Sequence, residues 1–420
     1  LKKRDIAATS LGNILEWFDF GLFIFLAPII GQQFFPIHDP ATASIAAFSV
    51  FAGGFLARPL GGIFFGHRGD TRGRAKTLRL SILIITTSTL LIGFLPTYEQ
   101  AGILAPILFA LLRLAQGVSV GGEYSGVMIY LAESAPAQRR GFITSFAAIG
   151  ANIGFLLATL TAILLKNCMP EAFFQEWGWR LPFIAVGGLG SLVLYYRLRL
   201  SETPTYEHLR AQHHIEQKPF WSAVRFAPGK LMRILGITCM SSTFYYVFFG
   251  YMPDYLEQYI HLPANTALTL QSILLVIMLF LVLVAGYCGD RFGRKRMLMI
   301  TALGIILLSL PCFYLLQEKT LLLVTIALSL ATVLSSIEQG NSLTTVVENC
   351  PADIRYSGVA FSYNLGMALF GGTAPLVVSV LTQQVHVIAP AYYLMAMAAI
   401  SLIAILTLQK KVDIEERAQH

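Results

Sequence analysis

Gly12–Gly21 reads GNILEWFDFG and sets two carboxylates, Glu16 and Asp19, inside a run otherwise fit for lipid. Residues three apart share one face of a helix. The apolar flanks extend from about Ile6 to about Phe35. At ~1.5 Å per residue, a helix of that length crosses a bilayer and carries both acids near mid-depth. An uncompensated acid there costs at least ~2.5–3.5 kcal/mol. The pair is therefore expected to face protein or water, and either to meet a cation or to carry a proton.

The rest of the chain fits that setting. The chain has 420 residues, 55% of them hydrophobic and only 13% charged, with a mean hydropathy of +0.65. Soluble domains carry roughly twice that share of charge, about 25%, so a polytopic membrane protein is expected. Runs of ~20 apolar residues mark membrane-crossing helices, and twelve are found, at about 6–34, 42–66, 75–96, 102–132, 141–165, 179–199, 231–257, 264–288, 295–316, 320–347, 357–382 and 391–409. The one long polar break lies between the sixth and seventh. The expected organisation is an all-α membrane protein with a six-helix bundle over 1–200, a linker over 201–230, a second bundle over 231–410 and a short tail over 411–420.

The net charge of +7 is concentrated in short loops on one side: Lys2, Lys3 and Arg4; Arg68, Arg72, Arg74 and Lys76; Arg139 and Arg140; Arg291, Arg294, Lys295 and Arg296; Arg355; Lys410 and Lys411. The other side has Lys166 and Lys319 among acids such as Asp39 and Glu99. Positive loops stay inside, so both termini and the linker are expected in the cytoplasm. This distribution speaks for a lipid partner and against nucleic acid. Leu1 in place of Met suggests a trimmed N-terminus. Five scattered cysteines without metal or redox spacing, and eight histidines that all fall in loops, at helix ends or in the tail, indicate no metal, redox pair or cofactor.

The two bundles repeat each other. GHRGDTRGRAKTL (Gly66–Leu78) aligns with GYCGDRFGRKRML (Gly286–Leu298), and Glu123, Glu133, Pro136 and Arg140 align in order with Glu338, Glu348, Pro351 and Arg355. Parallel halves of this kind place a substrate site between them at the midplane. The repeated loop is expected to form a cytoplasmic latch in each half. Glycines such as Gly66 turn the backbone, Asp70 and Asp290 suit a helix start, and Arg74 and Arg294 pair with Glu133 and Glu348.

Eleven residues into the fourth helix, Arg113 falls level with the acid pair and is its expected bidentate partner. Two acids facing one arginine leave one over, which is expected to carry a proton. Glu123, ten residues further on, is in place to relay the proton inward, but its match with Glu338 slightly favours helix packing among Gly121, Gly122 and Gly126. Trp17, Gln116, Tyr124, Tyr245, Tyr246, Tyr363 and Asn364 lie at equivalent depths and are taken as substrate-binding residues, because aromatic faces attract a quaternary ammonium. Arg58 can bind a carboxylate, but the following Pro59 and glycines are expected to hold it towards the cytoplasmic side. Gly117–Gly121 matches G-x-S-x-G inside an apolar helix, where it reads as small-residue packing and not as a nucleophile elbow.

GNILEWFDFG, RPLGGIFFG (Arg58–Gly66), RLAQGVSVGGEYSG (Arg113–Gly126), WGWRLPF (Trp177–Phe183) followed by SETP, YYVFFGYMPDYL (Tyr245–Leu256) and YNLGMALFGGTAP (Tyr363–Pro375), with the two latch loops, resemble the metabolite:proton symporter branch of the major facilitator superfamily. That branch includes proline/betaine, α-ketoglutarate, citrate and shikimate permeases. The resemblance implies a non-enzymatic, proton-coupled symporter that imports a small carboxylate-bearing metabolite by alternating access as a monomer. Protonation of the Glu16/Asp19 pair would free Arg113 for the substrate carboxylate. A zwitterion such as proline or betaine is favoured, with di- or tricarboxylates or shikimate as the alternative and an exporter or receptor further off. Thr71 and Ala75 stand where the family has basic residues, so the first latch is expected to be the looser.

Overall fold

The computed structural model describes residues 3–35 and 40–408, so Lys2, Asp39, Lys410, Lys411 and the 411–420 tail lie outside the described residues. Twelve long helices follow one another. The first half comprises α1 (Lys3–Phe34), α2 (Pro40–Arg72), α3 (Arg74–Phe94), α4 (Leu104–Ser134), α5 (Arg140–Cys168) and α6 (Leu181–Arg197). The second comprises α7 (Pro228–Gln258), α8 (Ala264–Phe292), α9 (Arg294–Gln317), α10 (Leu321–Glu348), α11 (Arg355–Gln384) and α12 (Ala389–Leu406). All but α2 are recognised among the described residues as long and apolar enough to span a membrane. The polar break holds two short helices, Pro204–Ala211 and Pro219–Phe226.

The halves meet along two equivalent seams, α2 against α11 and α5 against α8. Small residues let the backbones approach. A Cβ on Gly66 would run into the Cα of Ser357, and one on Gly286 into the carbonyl of Gly141. The role of Gly66 is thus close approach between halves, while the tight turn falls to Gly73 and Gly293, at φ +107° and +94°. The G-x-S-x-G stretch is packing as expected. Ser119 bonds the Ser81 carbonyl at 2.7 Å, and Gly117 and Gly121 abut the α2 backbone.

Two helices depart from the sequence reading. In α7 the turn Tyr246–Tyr251, and in α11 the turn Met367–Gly371, widen into π-helix. Gly371 packs on Ser242 and Tyr246, so the two irregular turns touch. Such turns recur at functional sites because they re-aim side chains. Hydropathy cannot reveal them, because the residues stay apolar through the extra step.

Candidate functional site

Asp19 and Arg113 are brought together within the first half. Arg113 Nη1 donates to Asp19 Oδ2 at 2.9 Å, and both side chains are buried. Phe23, at 4.1 Å from ring centroid to guanidinium carbon, and Phe109 and Phe183, both at 5.7 Å, wall the arginine. These faces offset part of its lost hydration. The expected bidentate clamp on two acids is not formed. A single bond joins the pair, and among the described residues Asp19 Oδ1, Arg113 Nε and Arg113 Nη2 have no hydrogen-bond partner. Glu16 is not a partner of Arg113. It is buried, neither oxygen is bonded among the described residues, and its charged neighbours include Glu123, Arg58 and Arg197. Three residues of helix turn the two carboxylates by about 60°, enough to aim them into different pockets.

Glu123 is clamped rather than poised to relay. Arg197 donates Nη1 to Oε2 at 2.7 Å and Nη2 to Oε1, and Ser81 donates to Oε2 at 2.5 Å. Arg197 also reaches the carbonyls of Ala8, Leu78 and Thr9. This fully buried knot ties α1, α3, α4 and α6, and a carboxylate held on both oxygens by a guanidinium is not free to pass a proton on. The relay reading is corrected accordingly. Sequence reasoning missed Arg197 because it sits near the helix end, in a stretch that reads as interfacial.

An aromatic cluster lies where the halves meet. Trp17 packs edge-on to Tyr124 with ring centroids 5.6 Å apart, and Tyr124 meets Tyr363 at 5.7 Å across the junction. Phe155 bridges Trp17 and Tyr245, and Phe55 meets Tyr246 at 5.9 Å. Tyr245 also bonds Asn152, which bonds Gln339 of the other half. Two of the expected substrate residues are committed elsewhere. Gln116 donates to Thr89 at 2.7 Å, towards α3, and the Asn364 amide nitrogen serves Gly121, Ser125 and Ala360.

Arg58 is the residue the sequence reading undervalued. Pro59 and the glycines do not hold it away. Its side chain is fully buried beside the cluster, over the Phe55 ring at 5.3 Å, and Nε donates to Asn364 Oδ1 at 3.0 Å. Among the described residues Nη1 and Nη2 meet no acceptor in full hydrogen-bond geometry, although the Tyr246 hydroxyl lies against the guanidinium, and Trp17 Nε1 of the same cluster is likewise unbonded. Buried polar groups are nearly always bonded. Unbonded donors on one aromatic-lined junction make it a candidate ligand site.

Each latch carboxylate is held by the arginine of its own half, as expected, and also by an arginine of the other half. Arg74 holds Glu133 through Nε at 3.1 Å and Nη2 at 3.2 Å, and Arg355 of the second half reaches the same carboxylate at 2.8 Å. Asp70 accepts from the amides of Tyr356 and Ser357 at 3.0 and 2.8 Å, at the N-terminus of α11. The second set mirrors this. Arg294 and, from the first half, Arg140 hold Glu348 at 2.7 and 2.9 Å, while Asp290 accepts from the amides of Gly141 and Phe142 at the start of α5. An acid at a helix N-terminus is stabilised by the dipole and the free amides.

The first latch is the tighter, contrary to expectation. Arg74 and Glu133 are 0% and 1% exposed, against 9% and 20% for Arg294 and Glu348. The stretch SETP supplies the reason. Glu202 accepts from the amides of Arg74 and Ala75 at the start of α3, and Thr203 donates to Glu133 at 2.7 Å. Burial holds the Glu202 carboxyl above the usual carboxylate range.

The model of the family described as "Major Facilitator Superfamily" matches residues 9–375. The chain belongs to the major facilitator superfamily. It is a membrane transporter and not an enzyme. It is 36% identical over 415 residues to the glycine betaine/proline/ectoine/pipecolic acid transporter of Dickeya dadantii, covering 96% of this chain and 82% of that one. To the proline/betaine transporter of Escherichia coli K12 it is 35% identical over 417 residues, covering 97% and 83%. Among solved structures, the proton:xylose symporter XylE with bound 6-bromo-6-deoxy-D-glucose superposes with a TM-score of 0.78 at 18% identity, covering 96% of this chain and 94% of that one. FucP in the outward conformation gives 0.72 at 14% identity, covering 98% and 100%. In this transporter, then, the superfamily's two halves are closed on each other at the latch face.

Proposed function

We propose that the transporter is a proton-coupled symporter that imports a zwitterionic, carboxylate-bearing metabolite of the glycine betaine or proline type. The observation that carries this reading is the buried junction cluster, where Arg58 has two nitrogens without a full hydrogen bond among the described residues, neighbours Tyr246 and Tyr363, and Tyr363 continues through Tyr124 to Trp17. A carboxylate completes the guanidinium fork, and aromatic faces take a quaternary or secondary ammonium. The names of the relatives agree with that chemistry.

Proton coupling rests on the Glu16/Asp19 pair. Asp19 is the ionised partner of Arg113 in this state, and Glu16, buried without a bonded oxygen, takes a proton rather than standing as an unpaired anion. Breaking the single Asp19–Arg113 bond when Asp19 is protonated releases α1 from α4 and biases the equilibrium between outward and inward states. Arg113 acts through this pair and not as the substrate's cation, since α1, α4 and α6 of the first half supply its surroundings. The latch face is cytoplasmic, so the present state is shut towards the cytoplasm. The protein works as a monomer in a bacterial inner membrane with both termini inside, as bundles over 1–200 and 231–410 joined by a cytoplasmic linker.

The test is Asp19→Asn in proteoliposomes. Loss of uphill, proton-driven accumulation with substrate exchange retained supports the reading. Undiminished accumulation contradicts it.

A further inference from the structure

The internal repeat pairs Glu338 with Glu123, yet the two acids are treated differently. Glu123 is neutralised by Arg197 and Ser81. Glu338 is equally deep in its half, 3% exposed, but among the described residues no arginine or lysine forms an ion pair with it. Its oxygens are served by hydroxyls: Ser241 of α7 donates to Oε1, and Ser342 stands one turn along α10. Hydroxyl donors solvate a carboxylate without cancelling its charge. An acid retained at such a depth without a cation is costly, and a mobile cation is one way to meet that cost.

The place is telling. Glu338 lies close enough to Tyr124 and Tyr363 to act on both through charge, and Tyr363 is acted on by Arg58 as well. The Tyr124–Tyr363 pair, 5.7 Å between centroids, thus has both Arg58 and Glu338 near it, and among the described residues neither of these two forms an ion pair. The next residue, Gln339, bonds Asn152 of the first half and so fixes this face of α10 on the junction. Resting on the zwitterion reading above, we propose that Glu338 is the anionic end of a dipolar substrate site whose cationic end is Arg58. The substrate carboxylate bonds Arg58, and its ammonium lies against Tyr124 and Tyr363 facing Glu338. Charge at both ends selects zwitterions over simple carboxylates, and the second half, which moves against the first during transport, holds the ammonium.

The test uses purified full-length protein and two probes of nearly equal shape, glycine betaine and 3,3-dimethylbutyrate, in which carbon replaces the ammonium nitrogen. In Glu338→Gln, affinity for glycine betaine is expected to fall about tenfold or more, the scale of one lost charged contact, while 3,3-dimethylbutyrate binds as before or better. Glu338→Asp, which keeps the charge but withdraws it, is expected to lie between. Arg58→Gln is expected to lose both probes, because both carry the carboxylate. Equal losses for both probes in Glu338→Gln and Glu338→Asp would make Glu338 a packing residue and overturn the proposal. Unchanged betaine affinity with loss of proton-driven uptake would make it a proton carrier and overturn it as well. Failure of the wild type to bind betaine or proline, with uptake of a dicarboxylate instead, would overturn the zwitterion reading itself and this proposal with it.

Discussion

Replacing Glu133 by Gln should open the latch face, and the structure separates the bonds that matter from those that do not. Arg74–Glu133 and Thr203–Glu133 lie on the first-half side of the seam and survive opening, so their loss weakens both states alike. A perturbation moves a conformational equilibrium only through contacts that differ between the states. The differing contact is Arg355–Glu133, 2.8 Å, buried and drawn from opposite halves. A hydrogen bond between charged groups contributes ~1.5–3 kcal/mol net, which is roughly a ten- to 150-fold shift towards the open latch. The matching change, Glu348→Gln, removes Arg140–Glu348, whose side chains are 15% and 20% exposed, so solvent screening makes its effect smaller. The distance across the seam can be read by spin-label spectroscopy between Lys76→Cys and Arg291→Cys, both exposed positions, with Cys168 and Cys288 replaced by Ser. A longer-distance population should grow in Glu133→Gln and grow less in Glu348→Gln. The reverse order, or no change in Glu133→Gln, would refute the claim that the first latch is the stronger.

Glu123→Gln leaves Arg197 buried without its anion and should cost ~3–5 kcal/mol of stability, read as a fall in thermal midpoint, while the protein that remains folded still couples uptake to protons. Gly66→Leu should push Ser357 away, hold the latch face open and abolish uptake without loss of expression, checked by the same distance measurement. Arg113→Lys should keep the charge beside Asp19 and the affinity for substrate within about threefold, yet shift the pH dependence of exchange. A large affinity loss in a monodisperse sample would return Arg113 to the substrate site.

Much of this was legible in residue order. Helix number follows from apolar length alone, and the two latches from a repeat that carries Asp, Gly and Arg at fixed spacing. Asp19 and Arg113 could be matched by depth because rise per residue is constant. Direction around the helix axis was harder. Glu16 and Asp19 look equivalent by spacing, but which one meets Arg113 depends on how α1 is rotated against α4, which hydropathy does not encode. Arg197 goes unread and Arg58 is undervalued for the same reason: distance from a helix end sets depth, not partner. Pairing of the latches across halves needed the tertiary seam, although Arg140 and Arg355 already stood at equivalent positions in the repeat. SETP lacks hydropathic character, so its service to Glu133 and to the start of α3 emerges only in three dimensions.

The most direct measurement of the central claim is uptake of radiolabelled glycine betaine into proteoliposomes against an imposed pH gradient, alkaline inside, without sodium. The account expects accumulation above the external concentration, collapse of that accumulation with a protonophore, and its absence in Asp19→Asn while counterflow persists. Accumulation indifferent to the gradient, or equal in Asp19→Asn, would contradict it.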